Sequence, residues 1–116
     1  MITSVLVGLV ALLHLYFMLL EMLWWTKPYG RRVFGLTPEF AQASKGLAMN
    51  QGLYNGFLAA GLIWAIYLGE QGQSIATFFL GCVIFAGVFG AITVNKKILF
   101  VQALPAIVAL ASLYFL

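Results

Sequence analysis

Apolar residues run almost without interruption through four stretches of the chain, at about residues 2–25, 47–68, 75–94 and 98–116. A helix needs roughly 20 residues to cross about 30 Å of hydrocarbon, so each stretch predicts a membrane-spanning helix. The connections after the second and third stretches, GEQGQ and NKK, are short enough to require antiparallel neighbours. The pattern therefore predicts an all-α fold, an integral membrane up-down four-helix bundle that forms a single transmembrane domain.

The composition agrees with a membrane protein and excludes an ordinary soluble domain. Of the 116 residues, 64% are hydrophobic and 8% are charged, whereas charged residues make up roughly a quarter of an average soluble domain. The formal net charge is +3, but the basic residues stand at segment ends and form no stripe, so no nucleic-acid partner is expected. Cys82 is the single cysteine, which excludes an internal disulfide.

The distribution of basic residues predicts how the helices are oriented. The basic residues follow the first and third stretches, at Lys27, Arg31, Arg32, Lys45, Lys96 and Lys97. The opposite side carries Glu70 and no lysine or arginine, so the positive-inside rule places both termini outside and both basic connections in the cytoplasm. The first stretch lacks a basic start and a small-residue cleavage site, so we expect it to be a retained span.

The connection between the first two stretches carries a helix-start signal. Thr37 followed by Pro38 is typical of an N-cap with proline at the first helical position, and Glu39 suits the positive end of the helix dipole. A helix that began there and continued through the second stretch would exceed about 45 Å. Its first two turns are therefore predicted either to lie along the membrane interface or to protrude into the cytoplasm. Gly46 is the predicted bend, and the segment before Thr37 is predicted to be a tightly turned loop because it contains Gly30 and Gly35.

Polar side chains interrupt the apolar stretches towards their cytoplasmic ends. His14 and Glu21 are seven residues apart on nearly one face of the first helix, about 10 Å from each other along its axis. A charge in hydrocarbon costs roughly 3 kcal/mol, so we expect Glu21 to face the bundle interior. Amides and a phenol on the second and fourth stretches lie at similar depths. Together these side chains predict a polar intramembrane pocket in the cytoplasmic half of the bundle: His14, Glu21, Asn50, Gln51, Tyr54, Asn55 and Gln102.

Structural roles for the same residues stay open beside the pocket hypothesis. Glu21 could snorkel towards the headgroups or pair with a base that folds back, for which Arg31 and Arg32 are the predicted partners. His14 could be a hydrogen-bonded core histidine, and the amides could hydrogen-bond helices together. One histidine and one carboxylate fall short of a usual metal-ligand set, so no metal is expected. The sequence points to no cofactor and to no catalytic residue.

Small residues at i, i+4 spacing predict places where helix backbones approach closely. One such ridge lies on the second stretch and two lie on the third: Gly52, Gly56 and Ala60, then Gly87 with Ala91, and Ala86 with Gly90. Close packing is the favoured interpretation of these ridges.

The segments HLYFMLLEMLWW, KPYGRRVFGLTPEFA and NQGLYNGFLAAGLIW together resemble one known family. It is a group of small bacterial membrane proteins classed as a domain of unknown function, number thirteen hundred and four. The resemblance covers roughly residues 5–65 closely and the last two stretches more loosely. It implies four transmembrane helices and a multi-pass location in the bacterial inner membrane. No catalytic residue is established for the family, so none is transferred to this chain.

Three functions remain open from the sequence. The first is a small-molecule transporter or exporter component in which Glu21, alone or together with His14, couples binding to protons. Length and a glutamate in the first span resemble the small multidrug exporters, but those with dual topology have nearly balanced charges, so this chain would need a parallel homodimer. The second is an intramembrane isomerase or cyclase acting on a lipid or isoprenoid-like substrate, with Glu21 and His14 exchanging protons with it. The third is a non-catalytic membrane partner protein. Membrane lipid and a small hydrophobic or amphipathic ligand are the expected partners.

Overall fold

A computed structural model describes all residues from 1 to 116, and helices are its only regular secondary structure. Helical residues make up 88% of the chain and none lies in a strand, which confirms the predicted all-α class. The α-helices are α1 (Ile2–Met22), α2 (Pro28–Phe34), α3 (Pro38–Ala43), α4 (Lys45–Leu68), α5 (Gln73–Thr93) and α6 (Leu104–Phe115). A 3₁₀ turn at Gly69–Gly72 joins α4 to α5, and a π-helical turn at Leu99–Ala103 precedes α6.

The four predicted stretches correspond to α1, α4, α5 and the segment ending in α6, and the fourth differs most from its prediction. A regular helix was expected from residue 98, whereas the π-helical turn comes first and α6 begins at Leu104. Pro105 has no N–H to donate to the carbonyl group four residues earlier, which interrupts regular α-helical bonding at this point. The N–H of Leu104 donates to the carbonyl of Leu99, five residues back.

The chain divides into two compact units, which are described separately. The apolar unit comprises Met1–Leu12 with Leu58–Leu116, and the polar unit comprises Leu13–Phe57. In the apolar unit, parts of α1, α4, α5 and α6 contribute to one core of Val7, Val10, Ala11, Leu62, Leu80, Val83, Ala106 and Ala109. All of these side chains are aliphatic, so they contribute to this core by apolar packing.

Glycines on α5 bring its backbone close to the segment that precedes α6. A Cβ atom on Gly87 would lie 2.7 Å from the backbone nitrogen of Ala103, and one on Gly90 would lie 3.1 Å from Cγ2 of Ile98. A Cβ atom on Gly81 would contact nothing within 4 Å. Both close contacts agree with the packing role predicted for the small-residue ridges of α5.

The helix α2 in the polar unit occupies a segment that was predicted to be a loop. Pro28 at its first position and Gly35 just after its last are typical helix boundaries, and Gly35 adopts the left-handed conformation with φ 66°. A Cβ atom on Gly30 would overlap the carbonyl group of Trp24. The loop prediction is therefore wrong over these seven residues, although its two glycines mark a close approach and a helix end.

The helix α3 begins where the sequence predicted. The hydroxyl of Thr37 accepts a hydrogen bond from the N–H of Phe40 at 3.1 Å, which makes Thr37 the N-cap. The break before α4 lies at Ser44 and not at the predicted Gly46. Oγ of Ser44 donates to the carbonyl of Phe40 at 2.7 Å and accepts from Nε1 of Trp25 at 3.0 Å. Ser44 thus ends α3 and attaches it to the segment that follows α1.

Two helical stretches are long and apolar enough to cross a membrane, judged by length and composition. They are Ile2–Met22 and Lys45–Thr93, of which the second comprises α4, the 3₁₀ turn and α5. A shorter apolar stretch, Leu99–Phe115, follows them. These stretches support membrane association.

Candidate functional site

A hydrogen bond joins two of the predicted pocket residues, Glu21 near the end of α1 and Asn55 in α4. Nδ2 of Asn55 donates to Oε1 of Glu21 at 2.5 Å. Asn55 is 4% exposed, whereas Glu21 is half-buried. The Asn55 amide is the partner that the structure gives to this carboxyl group.

Two glycines of α4 bring α1 and α4 together beside this pair. A Cβ atom on Gly52 would lie 3.1 Å from Cβ of Glu21 and 3.2 Å from the carbonyl oxygen of Met18, and one on Gly56 would lie 2.9 Å from Sδ of Met18. These contacts agree with the predicted packing of the Gly52–Gly56 ridge. Asn55 lies three residues after Gly52, on the same helix face, which directs its amide towards Glu21.

The pairing also determines how the ends of α1 and α4 align. Glu21 lies one residue before α1 ends, whereas Asn55 lies ten residues after the first residue of α4. At 1.5 Å per residue that is about 15 Å along α4. The first two turns of α4 therefore extend past the end of α1, and Asn50 and Gln51 belong to this extension.

Three predicted pocket residues on α4 are exposed, unlike Asn55. Asn50, Gln51 and Tyr54 are exposed, and Tyr54 retains 53% of its accessible surface. The sequence grouped Gln51 and Tyr54 with Asn55 by helical spacing. The face of α4 that packs against α1 contains Gly52 and Asn55. Gln51 and Tyr54 lie beside this face of the helix and not within it.

His14 is fully buried in the polar unit, with 0% of its surface exposed. Its imidazole meets the ring of Phe17 edge to face, with ring centroids 5.4 Å apart. A ligand therefore has no access to the imidazole in this conformation. This is the geometry of the core histidine, one of the two roles that the sequence left open.

The two arginines predicted as charge partners of Glu21 are engaged elsewhere. Nε of Arg31 donates to the carbonyl of Thr26 at 3.3 Å. Cζ of Arg32 lies 5.9 Å from the ring centroid of Tyr29, a cation–π distance. The partner of Glu21 is an amide and not a base because the arginines lie on α2, whose helical fold the sequence interpretation did not foresee. Their predicted pairing with Glu21 is therefore absent from this structure.

Gln102, the last predicted pocket residue, lies in the π-helical turn before α6 and is half-buried. It belongs to the apolar unit, whereas Glu21 and Asn55 belong to the polar unit. Its prediction as a pocket residue stays a prediction.

The sequence interpretation missed an open groove of about 450 Å³ in the polar unit, lined by Tyr16, Trp24, Lys27 and Tyr29. Tyr16 and Trp24 are eight residues apart, which would leave them about 80° apart around a helix, and Trp24 lies beyond the end of α1. Helical spacing was therefore no signal for this groove. Tyr29 lines the groove because it lies on α2. A loop prediction for this segment gave no position for its side chain.

Comparison with known proteins identifies the family of this chain. The family described as "Protein of unknown function (DUF1304)" matches residues 8–114. The chain is 37% identical over 115 residues to the "Uncharacterized protein YpaA" of Lactococcus lactis subsp. lactis (strain IL1403), and the match covers 97% of each chain. No solved structure matches it. The resemblance found in the sequence is thus confirmed, and the chain belongs to the DUF1304 family of proteins of unknown function.

Proposed function

We propose that this protein is a multi-pass protein of the bacterial cytoplasmic membrane that binds a small amphipathic cation at Glu21 and exchanges it for a proton. In this proposal α1, α4, α5 and α6 form an up-down bundle and a single transmembrane domain. Both termini lie outside, and the basic connections lie in the cytoplasm. The protein would act as a transporter or as a component of an exporter.

The membrane location is supported by how little of the apolar helices is buried. In each of the two long apolar stretches, 22% of the most hydrophobic window is buried, whereas the core helix of a soluble protein is mostly buried. Large side chains along α5 are exposed, among them Phe85 at 81%. Soluble monomers rarely expose contiguous apolar patches larger than a few hundred Å². Lipid would cover this surface.

The binding role depends on one observation, the hydrogen bond between Asn55 and Glu21 at a half-buried position. Asn55 occupies one carboxyl oxygen and holds the group in place, which leaves Oε2 to accept from a cationic or N–H-bearing ligand. A carboxylate within an apolar segment is costly, so such residues commonly mark substrate or proton pathways. A proton and a cation would compete for the same oxygen, and this competition is the physical basis of the proposed exchange.

The enzyme hypothesis receives less support from this geometry. An acid–base mechanism with Glu21 and His14 requires both groups to reach one substrate. Because His14 has no exposed surface, the structure gives no access for such a substrate. The transporter hypothesis needs Glu21 alone, so we prefer it. In a transporter of this kind the chain would act as a parallel homodimer, because its basic residues favour one orientation in the membrane.

The proposal is tested by measuring protons released when a lipophilic cation binds. Tetraphenylphosphonium is added to the purified full-length protein in weakly buffered detergent solution, and the pH change is recorded. We expect proton release to rise with the bound cation and to saturate. Glu21→Gln should abolish this release because the amide has no proton to exchange.

A matched variant separates a site effect from the loss of a carboxylate. Glu39→Gln removes an exposed acid in the first turn of α3, so it should release protons as the unmodified protein does. Equal release from the two variants would contradict the proposal, and so would a complete lack of release from the unmodified protein.

A further inference from the structure

The groove lined by Tyr16, Trp24, Lys27 and Tyr29 lies where α1 ends and α2 begins. Its walls are held together by direct contacts. The hydroxyls of Tyr16 and Tyr29 form a hydrogen bond of 2.5 Å, and the rings of Trp24 and Tyr29 meet edge to face with centroids 6.1 Å apart. These contacts fix Tyr29 against Tyr16 and Trp24.

The groove carries a positive charge from Lys27, whose side chain is exposed there. The guanidinium of Arg32 lies over the ring of Tyr29, one of the lining residues. None of the four lining residues is acidic, and Glu21 is bonded to Asn55. Nε of Arg31 donates to the carbonyl of Thr26, so Arg31 contacts the backbone of the segment between α1 and α2. An anion in the groove would thus meet the Lys27 ammonium beside aromatic rings.

We infer that this groove binds the headgroup of an anionic phospholipid. Lys27 would bind the phosphate, and the rings of Tyr16 and Trp24 would pack along the glycerol and the first methylene groups. Tryptophan and tyrosine are enriched at the membrane interface because each combines an apolar ring with a polar group. Basic residues attract anionic lipid within about a Debye length of the surface. This inference rests on the membrane location proposed above and is independent of the role of Glu21.

Native mass spectrometry of the full-length protein in mild detergent tests the inference. Phosphatidylglycerol and phosphatidylcholine with identical acyl chains are each added, and the fraction of protein carrying one lipid is measured. We expect phosphatidylglycerol to bind more tightly than phosphatidylcholine. Lys27→Gln should weaken phosphatidylglycerol binding about fivefold, which corresponds to ~1 kcal/mol for one lysine near a membrane surface.

Lys96→Gln is the matched control because it removes the same charge from an exposed lysine outside the groove. It should leave phosphatidylglycerol binding unchanged. Equal binding by the Lys27 and Lys96 variants would overturn the inference, as would equal affinity of the unmodified protein for the two lipids.

Inorganic phosphate separates a lipid site from a general anion site. Millimolar phosphate should leave the phosphatidylglycerol adduct in place because phosphate lacks the glycerol and acyl parts. Complete displacement by phosphate would overturn the lipid assignment. Glu21→Gln should retain lipid binding and Lys27→Gln should retain cation-driven proton release, so failure of one proposal can be told from failure of the other.

Discussion

The two compact units of this protein are built partly from the same helices, yet the groups buried in their interiors differ in chemistry. The apolar unit has a core of valine, leucine and alanine drawn from four helices. The polar unit contains the buried His14, the Glu21–Asn55 pair and the tyrosine pair of Tyr16 and Tyr29. The core of the first unit is formed by apolar packing, which tolerates hydrophobic exchange of similar volume, and the hydrogen bonds of Thr3 with Ser112 and of Thr77 with Tyr114 lie outside that core. In the second unit a hydrogen bond joins a carboxyl group to a buried amide, which is the chemistry that a binding site requires.

The largest expected effect is in the apolar unit. Leu80 is fully buried in its core, so Leu80→Ala should lower the free energy of unfolding by about 3 kcal/mol because it leaves a cavity. Phe85→Ala on the same helix removes a larger side chain that is 81% exposed, and it should change stability by less than about 0.5 kcal/mol. Equilibrium unfolding in mixed micelles measures both. A comparable loss from Phe85→Ala would show that the exposed face of α5 is covered by protein.

A smaller effect is expected from the polar unit. Asn55→Ala should lower the free energy of unfolding by about 2 kcal/mol, because it removes the hydrogen-bond partner of a half-buried carboxyl group. Asn50→Ala makes the same chemical change on the same helix at an exposed position, so it should cost less than about 0.5 kcal/mol. The same unfolding titration compares them. Equal losses would mean that Asn50 is also buried, for example by a second copy of the chain.

The smallest effect concerns a helix end. Thr37→Ala should lower the free energy of unfolding by about 1 kcal/mol because the N-cap hydroxyl is lost, whereas Thr37→Ser should retain most of it. Thr93 is the control in the apolar unit, since its hydroxyl bonds to the carbonyl of Phe89 within its own helix. Thr93→Ala should be nearly neutral. If Thr37→Ser is as unstable as Thr37→Ala, the hydroxyl is not what stabilises α3.

Much of the fold could be predicted because the apolar stretches are long and their ends carry local signals. Thr37 and Pro38 were recognised as a helix start, and the structure bears this out. The same kind of signal, Pro28 followed by Gly35, was available for α2, but the segment was interpreted as a loop because Gly30 and Gly35 suggested a turn. The break at Ser44 was placed two residues late because Ser44 also accepts from the distant indole of Trp25.

The candidate site was predicted in part. Glu21 and Asn55 were both named, and they form a direct bond. Helical spacing could not distinguish Asn55 from Gln51 and Tyr54, since all three lie within about a third of a turn of one another in projection. The close contact of Gly52 with Met18 and Glu21 decides which of them faces α1.

The sequence alone was enough to predict the helical class, the family and the existence of the long apolar helices, because hydrophobicity and helix-end chemistry are properties of neighbouring residues. Tertiary structure decided which polar groups meet. The pairing of Glu21 with Asn55, the burial of His14 and the groove beside Lys27 depend on the rotation and alignment of helices about one another. The rotation and alignment of the helices are set by contacts between residues distant in the chain. A pattern of neighbouring residues therefore cannot predict them.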